Sequence, residues 1–99
     1  MYKVAIDIYQ KVEKDFGAQA QEIHEALKEL DAKTKGLISH RVIRAIIYLA
    51  NGNVELFNKK VALAQTDWRD VLVQAEYNTE TERVRDFNKT FYELGLLIK

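Results

Sequence analysis

The chain has 99 residues, of which 47% are hydrophobic and 30% charged, and its 15 basic residues balance its 15 acidic ones. This length suits one helical domain, residues 1–99, with a single core, and excludes the sparse hydrophobicity of disordered chains. The even charge balance lacks the basic excess that is typical of a nucleic-acid-binding or membrane-binding chain.

Cysteine and proline are both absent, and there are four glycines. The lack of cysteine excludes disulfides and thiolate chemistry, and makes the cytoplasm the expected compartment. Charged residues interrupt the apolar residues of segment 1–16, and no later apolar run approaches the length of about 20 residues that a bilayer requires, so we expect no membrane segment. So few backbone breaks predict an all-α fold, a small bundle of four to five helices.

The first 33 residues carry a heptad pattern. From Tyr2 to Leu30, apolar residues recur in alternating steps of four and three, interrupted only by Glu13. This predicts a long heptad-patterned helix, or a helical hairpin if Gly17 breaks it. An unbroken helix over residues 2–33 would be about 48 Å long, more than the diameter of a compact body of this size, and would need a second subunit to cover it.

The middle of the chain shows helix starts and stops. Gly36 is a predicted helix end, and Ser39 a predicted cap for the most apolar helix, which carries residues 42–50. The triplet 51–53, Asn-Gly-Asn, predicts a corner between that helix and the next, because the steps of three and four around it do not fit a β-hairpin. The following helix has its apolar stripe within residues 54–64.

Two further helix starts follow. Thr66, with acidic residues in the turn after it, predicts a capped helix that runs to about Tyr77. Thr79 and Thr90 each precede a glutamate by three residues, which is the spacing of a capping box. A last helix is therefore predicted to begin at one of these threonines and to run to Ile98.

No catalytic or cofactor-binding set is evident. His24 and His40 lie on different predicted helices without the spacing of helical metal sites, and the acids around His24 equally fit a solvated helix face. Ser39 next to His40 is interpreted as a cap rather than a nucleophile, and no phosphate-binding glycine motif occurs. We therefore expect no catalytic residue, metal or cofactor, and keep a metal-binding or enzymatic helical protein as a remote alternative.

One set of residues is a candidate interaction surface. The arginines of the central helix lie opposite its apolar stripe, and those of the last helix could join them as a basic patch for phosphate or an acidic partner. We favour a solvated face with local ion pairs over such a patch, because Glu80, Glu82 and Asp86 are interleaved with the later arginines. The lone tryptophan is either packed in the core or at the domain edge, or an exposed anchor. The set comprises Arg41, Arg44, Tyr48, Trp68, Arg83 and Arg85.

Residues 39–98 loosely resemble helix-turn-helix regulators, in which three short helices can end in a phrase similar to residues 92–97, Tyr-Glu-Leu-Gly-Leu-Leu. The resemblance implies a nucleic-acid-binding regulator. The segment 67–77, however, has the acidic balance that repels DNA.

These observations favour a non-enzymatic helical module for protein–protein interaction or assembly, acting as a homodimer, on a protein partner, or both. A small nucleic-acid-binding regulator is the alternative, although nucleic acid is the less expected partner because the cations are interleaved with acids.

Overall fold

The computed structural model describes residues 4–79 and 81–98. Within these ranges the chain is mostly helical and contains no strand, since the backbone bridge between Tyr77 and Arg83 is isolated. The all-α prediction is thereby confirmed, whereas the count of four to five helices is not, because it included a last helix after Thr79 or Thr90 that the described residues do not form. The helices are α1 (Ile6–Phe16), α2 (Ala20–Thr34), α3 (His40–Ala50) and α4 (Val54–Glu76), with a 3-10 turn at Gly17–Gln19.

The N-terminal helix breaks at Gly17. This residue has φ 52° and ψ −117°, outside the right-handed helical region. The 3-10 turn changes the helical phase, so the continuous heptad seam is not confirmed: Ile6 and Tyr9 are 69% and 47% exposed, while Ile8 and Val12 are buried. The molecule is 35 Å along its longest axis. The two described N-terminal helices are each shorter than the molecule, so their length does not require a second subunit to cover them.

The predicted stop and start between α2 and α3 are confirmed. Lys35 and Gly36 both have positive φ, and the Gly36 N–H donates to the Asp31 carbonyl over 3.0 Å. Three residues later, the Ser39 hydroxyl accepts a hydrogen bond from the Val42 N–H over 3.3 Å. These two caps end α2 and begin α3.

Helix α3 is the central helix, as predicted, because six of its apolar side chains are buried: Val42, Ile43, Ala45, Ile46, Ile47 and Ala50. The predicted corner after it is also present. Asn51 and Gly52 have positive φ, and the Asn53 carboxamide accepts from the Leu56 N–H over 2.9 Å. A Cβ on Gly52 would lie 2.7 Å from the Asp15 carbonyl oxygen, so only glycine allows α1 to pack against this corner.

Helix α4 consists of two arms. Asp67 has extended backbone angles, φ −155° and ψ 96°, and its carboxylate accepts from the Arg69 N–H over 3.1 Å. Lys60 Nζ donates to Gln74 Oε1 over 2.6 Å, although fourteen residues of straight helix would separate them by about 21 Å. The arms are therefore sharply bent, and a helix starts here as predicted, with Asp67 rather than Thr66 as its cap.

The prediction of a last helix is wrong, since no helix is described after Glu76. Both predicted capping turns do form: Thr79 Oγ1 accepts from the Glu82 N–H, and Thr90 and Glu93 bond to each other reciprocally. Neither turn continues into a helix. Segment 77–98 instead inserts Phe87 and Phe91 into the core, where both are fully buried.

Candidate interaction surfaces

Two arginines of α3 bind two buried carboxylates. Arg41 donates to Glu76 through Nε over 3.0 Å and through Nη2 over 2.6 Å. Arg44 donates to Asp7 in the same two-pronged way, over 2.8 and 3.0 Å. Glu76 is 0% exposed and Asp7 2% exposed. These pairs join α3 to the start of α1 and to the end of α4, and buried charges require such partners.

The Arg44–Asp7 pair also explains why the C-terminal segment is not helical. In a helix, the Phe91 N–H would donate to the Phe87 carbonyl. Here the Phe91 N–H donates to Asp7 over 3.0 Å, and the Phe87 carbonyl accepts from Arg44 over 3.2 Å. The ion pair thus takes both ends of one helical hydrogen bond.

Glu76 acts on the same segment in a similar way. Its carboxylate accepts from the Phe87 N–H over 2.8 Å, and its carbonyl accepts from the N–H groups of Val84 and Arg85 over 2.7 and 3.2 Å. The N–H groups of Val84, Arg85 and Phe87 would form helical hydrogen bonds if a helix continued after Thr79. They donate to Glu76 instead. The two acidic residues and their arginine partners therefore fix the path of residues 84–91 over α3.

Both carboxyls are held ionised. Burial raises the pKa of Asp7, but hydrogen bonds from Arg44 and the Phe91 N–H outweigh it, so the pKa lies below its ordinary value. Burial likewise raises the pKa of Glu76, and hydrogen bonds from Arg41 and the Phe87 N–H bring it below its ordinary value. The charged form of each group is thus part of the folded state.

The remaining members of the arginine set lie next to these pairs. Arg83 contacts Glu76 at 3.3 Å and Asp86 at 2.8 Å. Arg85 donates to the Ala75 carbonyl over 2.8 Å and lies 4.8 Å from the centre of the Tyr48 ring. The four arginines and Tyr48 do converge, but on groups of the protein itself.

Two sequence interpretations need correction here. The face of α3 that carries Arg41, Arg44 and Tyr48 was expected in solvent, yet Arg44 is buried and the other two are half-buried, because segment 77–98 covers them. The expected local ion pairs are present for Asp86. Glu80, which was predicted to pair with the arginines, lies outside the described residues. The Glu82 carboxylate accepts a hydrogen bond from the Asn78 side chain rather than from an arginine.

Trp68 lies apart from this cluster, on a groove between α2, the α2–α3 connection and α4. The groove encloses about 320 Å³ and is lined by Lys33, Thr34, Lys35, Leu37, Ile38, Ala64, Gln65 and Trp68. Leu37 is 83% exposed and Trp68 47% exposed. The tryptophan therefore packs at the domain edge, with half of its surface in solvent.

A second depression adjoins the groove. It encloses about 150 Å³ between α2 and the first arm of α4, and shares Lys33 and Gln65 with the groove. Ala26, Leu30 and Val61 form its apolar part, and Glu29 is its one acidic lining residue among those described. The two depressions therefore lie next to each other along the seam of α2 and α4.

Neither histidine takes part in a metal-type cluster. His24 contacts Glu13 of α1 at 2.9 Å rather than its neighbours on α2, and its ring stacks on Tyr9 with centroids 4.4 Å apart. Within residues 4–79 and 81–98, no group of three or more histidine, aspartate or glutamate side chains is arranged to hold a metal ion.

Sequence reasoning missed Asp7, Glu76 and Leu37. Glu76 carried a signal, because it lies four residues after the buried Leu72 and so falls on the apolar face of its helix arm. Asp7 had none, since the heptad assignment placed the buried face of α1 elsewhere. Leu37 lies in a connection outside any periodic pattern.

The chain was compared with protein-family models, curated proteins and solved structures, and none of them matches it. Among the described helices, none combines the length and the apolar character that crossing a membrane would require.

Proposed function

We propose that the protein is a non-enzymatic helical module that binds a protein partner through the Trp68 groove. The observation that carries the proposal is the exposure of two large apolar side chains, Leu37 and Trp68, on one concave surface. Apolar side chains that line a concavity lose their contact with water when a partner fills it. Tryptophan is the residue type most often found at the energetic centre of such interfaces.

The arginine cluster supports this choice by contrast. Phosphate-driven binding needs several uncompensated cations. Arg41, Arg44 and Arg83 are each paired with a carboxylate, so a nucleic acid would have to compete with buried ion pairs. The groove exposes apolar surface that a partner can cover without breaking a buried ion pair.

Homodimerisation is a second form of the proposal, in which the groove receives another copy of the chain. The sequence favoured a dimer because an unbroken first helix would be longer than the molecule. That argument does not apply, because α1 ends at Phe16. Cross-linking to a second copy would identify the homodimer.

Site-specific photo-cross-linking in native lysate tests the proposal. A benzophenone amino acid replaces Trp68 in one variant and Tyr9 in the matched control, because both are aromatic and 47% exposed but lie on different surfaces. We expect a discrete protein adduct from position 68 that position 9 does not give. The mass of the adduct distinguishes a foreign protein from a second copy.

Three outcomes would contradict the proposal. The first is that position 68 yields no adduct, the second that the two positions yield the same adducts, and the third that the position 68 adduct disappears on nuclease treatment. The last result would move the assignment to nucleic acid.

A further inference from the structure

The charge of the Trp68 groove indicates what it binds. Lys33 and Lys35 both line it, and no acidic side chain of the described residues does. Among the described residues, no carboxylate lies within ion-pair distance of Lys35, and Lys33 meets Glu29 at 3.6 Å with both side chains more than half exposed. Such an exposed pair contributes little to stability and yields easily to a competing carboxylate.

Acidic residues close to the groove do not cancel this charge. Asp67 precedes Trp68, but its carboxylate binds the Arg69 side chain over 3.1 Å, and the Arg69 guanidinium holds the pKa of Asp67 below its ordinary value. Glu29 lies in the adjoining depression. Among the described residues, the groove at Leu37 and Trp68 is therefore lined by two lysines and by no carboxylate.

The spacing of the two depressions indicates a helical ligand. On α2, the adjoining depression is lined by Leu30 and Lys33, and the groove by Lys33 and Thr34. Leu30 and Thr34 are about one helical turn apart, roughly 6 Å. Side chains three or four residues apart on a docked helix have this separation.

A second copy of the chain fits less well. A two-fold interface centred on the groove would place Lys33 and Lys35 against the same lysines of the other copy. Like charges in contact oppose association. A foreign segment of opposite charge has no such conflict.

Resting on the proposed function, we infer that the partner of the Trp68 groove is an acidic amphipathic helix. It places one bulky apolar side chain against Leu37 and Trp68, and a second, one turn away, in the adjoining depression. Carboxylates beside the first of these side chains bind Lys33 and Lys35.

Synthetic peptides test the inference. Three 14-residue helical peptides without tryptophan share two leucines four residues apart and carry glutamate, glutamine or lysine at the flanking positions. Trp68 is the one tryptophan of the sequence, so its fluorescence reports occupation of the groove directly. We expect the glutamate peptide to bind roughly two- to thirtyfold more tightly than the glutamine peptide, from two exposed charge pairs, and the lysine peptide to bind most weakly.

Charge reversal supplies the decisive comparison. The variant K33E/K35E should prefer the lysine peptide, whereas the control K14E/K89E, with the same change in net charge at positions outside the groove, should keep the order of the unmodified protein. Circular dichroism melts of both variants check that each is folded. A glutamate peptide in which alanine replaces both leucines should not bind.

The outcomes separate the two proposals. Equal binding of all three peptides, an unreversed order in K33E/K35E, or no binding of any peptide overturns the acidic-helix inference. A protein adduct from position 68 that maps to a neutral or basic segment overturns it as well, but leaves the interaction module standing. If position 68 gives no protein adduct, the module itself fails.

Discussion

The arginine cluster and the Trp68 groove carry opposite kinds of surface. In the cluster each of the two buried carboxylates binds an arginine of α3. Backbone groups of Phe87 and Phe91 form hydrogen bonds with the same ion pairs. In the groove, apolar side chains stay in water and the lysines lack strong partners. Convergent charges that satisfy one another hold a fold together, whereas unsatisfied groups on a concave surface are available to a ligand. Substitutions in the two regions should accordingly affect different properties.

The largest effect is expected at Asp7. The variant D7N keeps the shape of the side chain but leaves the Arg44 guanidinium buried without a counter-charge, and should lower the free energy of unfolding by about 3–5 kcal/mol. Urea denaturation measures this. D70N removes an exposed aspartate and should stay within about 0.5 kcal/mol of the unmodified protein. If D7N lowered the free energy of unfolding no more than D70N does, the arginine cluster would not stabilise the fold as described.

A smaller effect is expected at Glu76. In E76Q the amide oxygen can still accept from the Phe87 N–H, and Arg41, whose side chain is 31% exposed, can reach water. The free energy of unfolding should therefore fall by about 2 kcal/mol, the contribution of a hydrogen bond to a charged group. The same urea experiment measures it. A loss larger than that of D7N would reverse the order of the two ion pairs.

Acid should weaken the cluster more than it weakens the groove. The pKa values of Asp7 and Glu76 lie below their ordinary values in the folded protein. Their contribution to stability is thus fully present above the ordinary carboxyl pKa of about 4, and is lost as the pH falls through the folded-state values. Urea midpoints at pH 6 and pH 3 should differ more for the unmodified protein than for D7N. Equal differences would contradict this.

The smallest effect on stability is expected in the groove. L37S replaces a side chain that is 83% exposed and should change the free energy of unfolding by less than about 0.5 kcal/mol. It should nevertheless remove the Trp68 fluorescence response to the glutamate peptide. I6S alters another exposed apolar residue on a different surface and should leave that response intact. Loss of the response in both variants would mean that it is not specific to the groove.

Much of the helical part was predictable because it depends on local interactions. Ser39 and Asn53 cap helices in the structure as their residue types predict, and Gly17 breaks the first helix where a break was considered. Each of these effects lies within four residues along the chain. The sequence contains all the information that they require.

The rest depended on contacts that local patterns do not contain. Thr90 and Glu93 form the predicted capping box, yet the amide and carbonyl groups of Phe91 and Phe87 bind a carboxylate and an arginine from distant helices. Helix propensities differ by only tenths of a kcal/mol per residue, whereas leaving a buried charge without its partner costs about 3–5 kcal/mol. The groove was equally out of reach, because Leu37 and Trp68 are far apart in the sequence and line one surface only in the folded chain.

The hydrogen bond from Phe91 to Asp7 spans 84 residues along the chain, and this separation has a consequence for the order of folding. Contacts within α3 and α4 close short loops, whereas docking the C-terminal segment requires the whole chain to be gathered first. The segment should therefore lock after the helices have packed. Truncating Phe91 would then speed unfolding far more than it slows refolding, so the C-terminal segment sets how long the folded state lasts rather than how fast it forms.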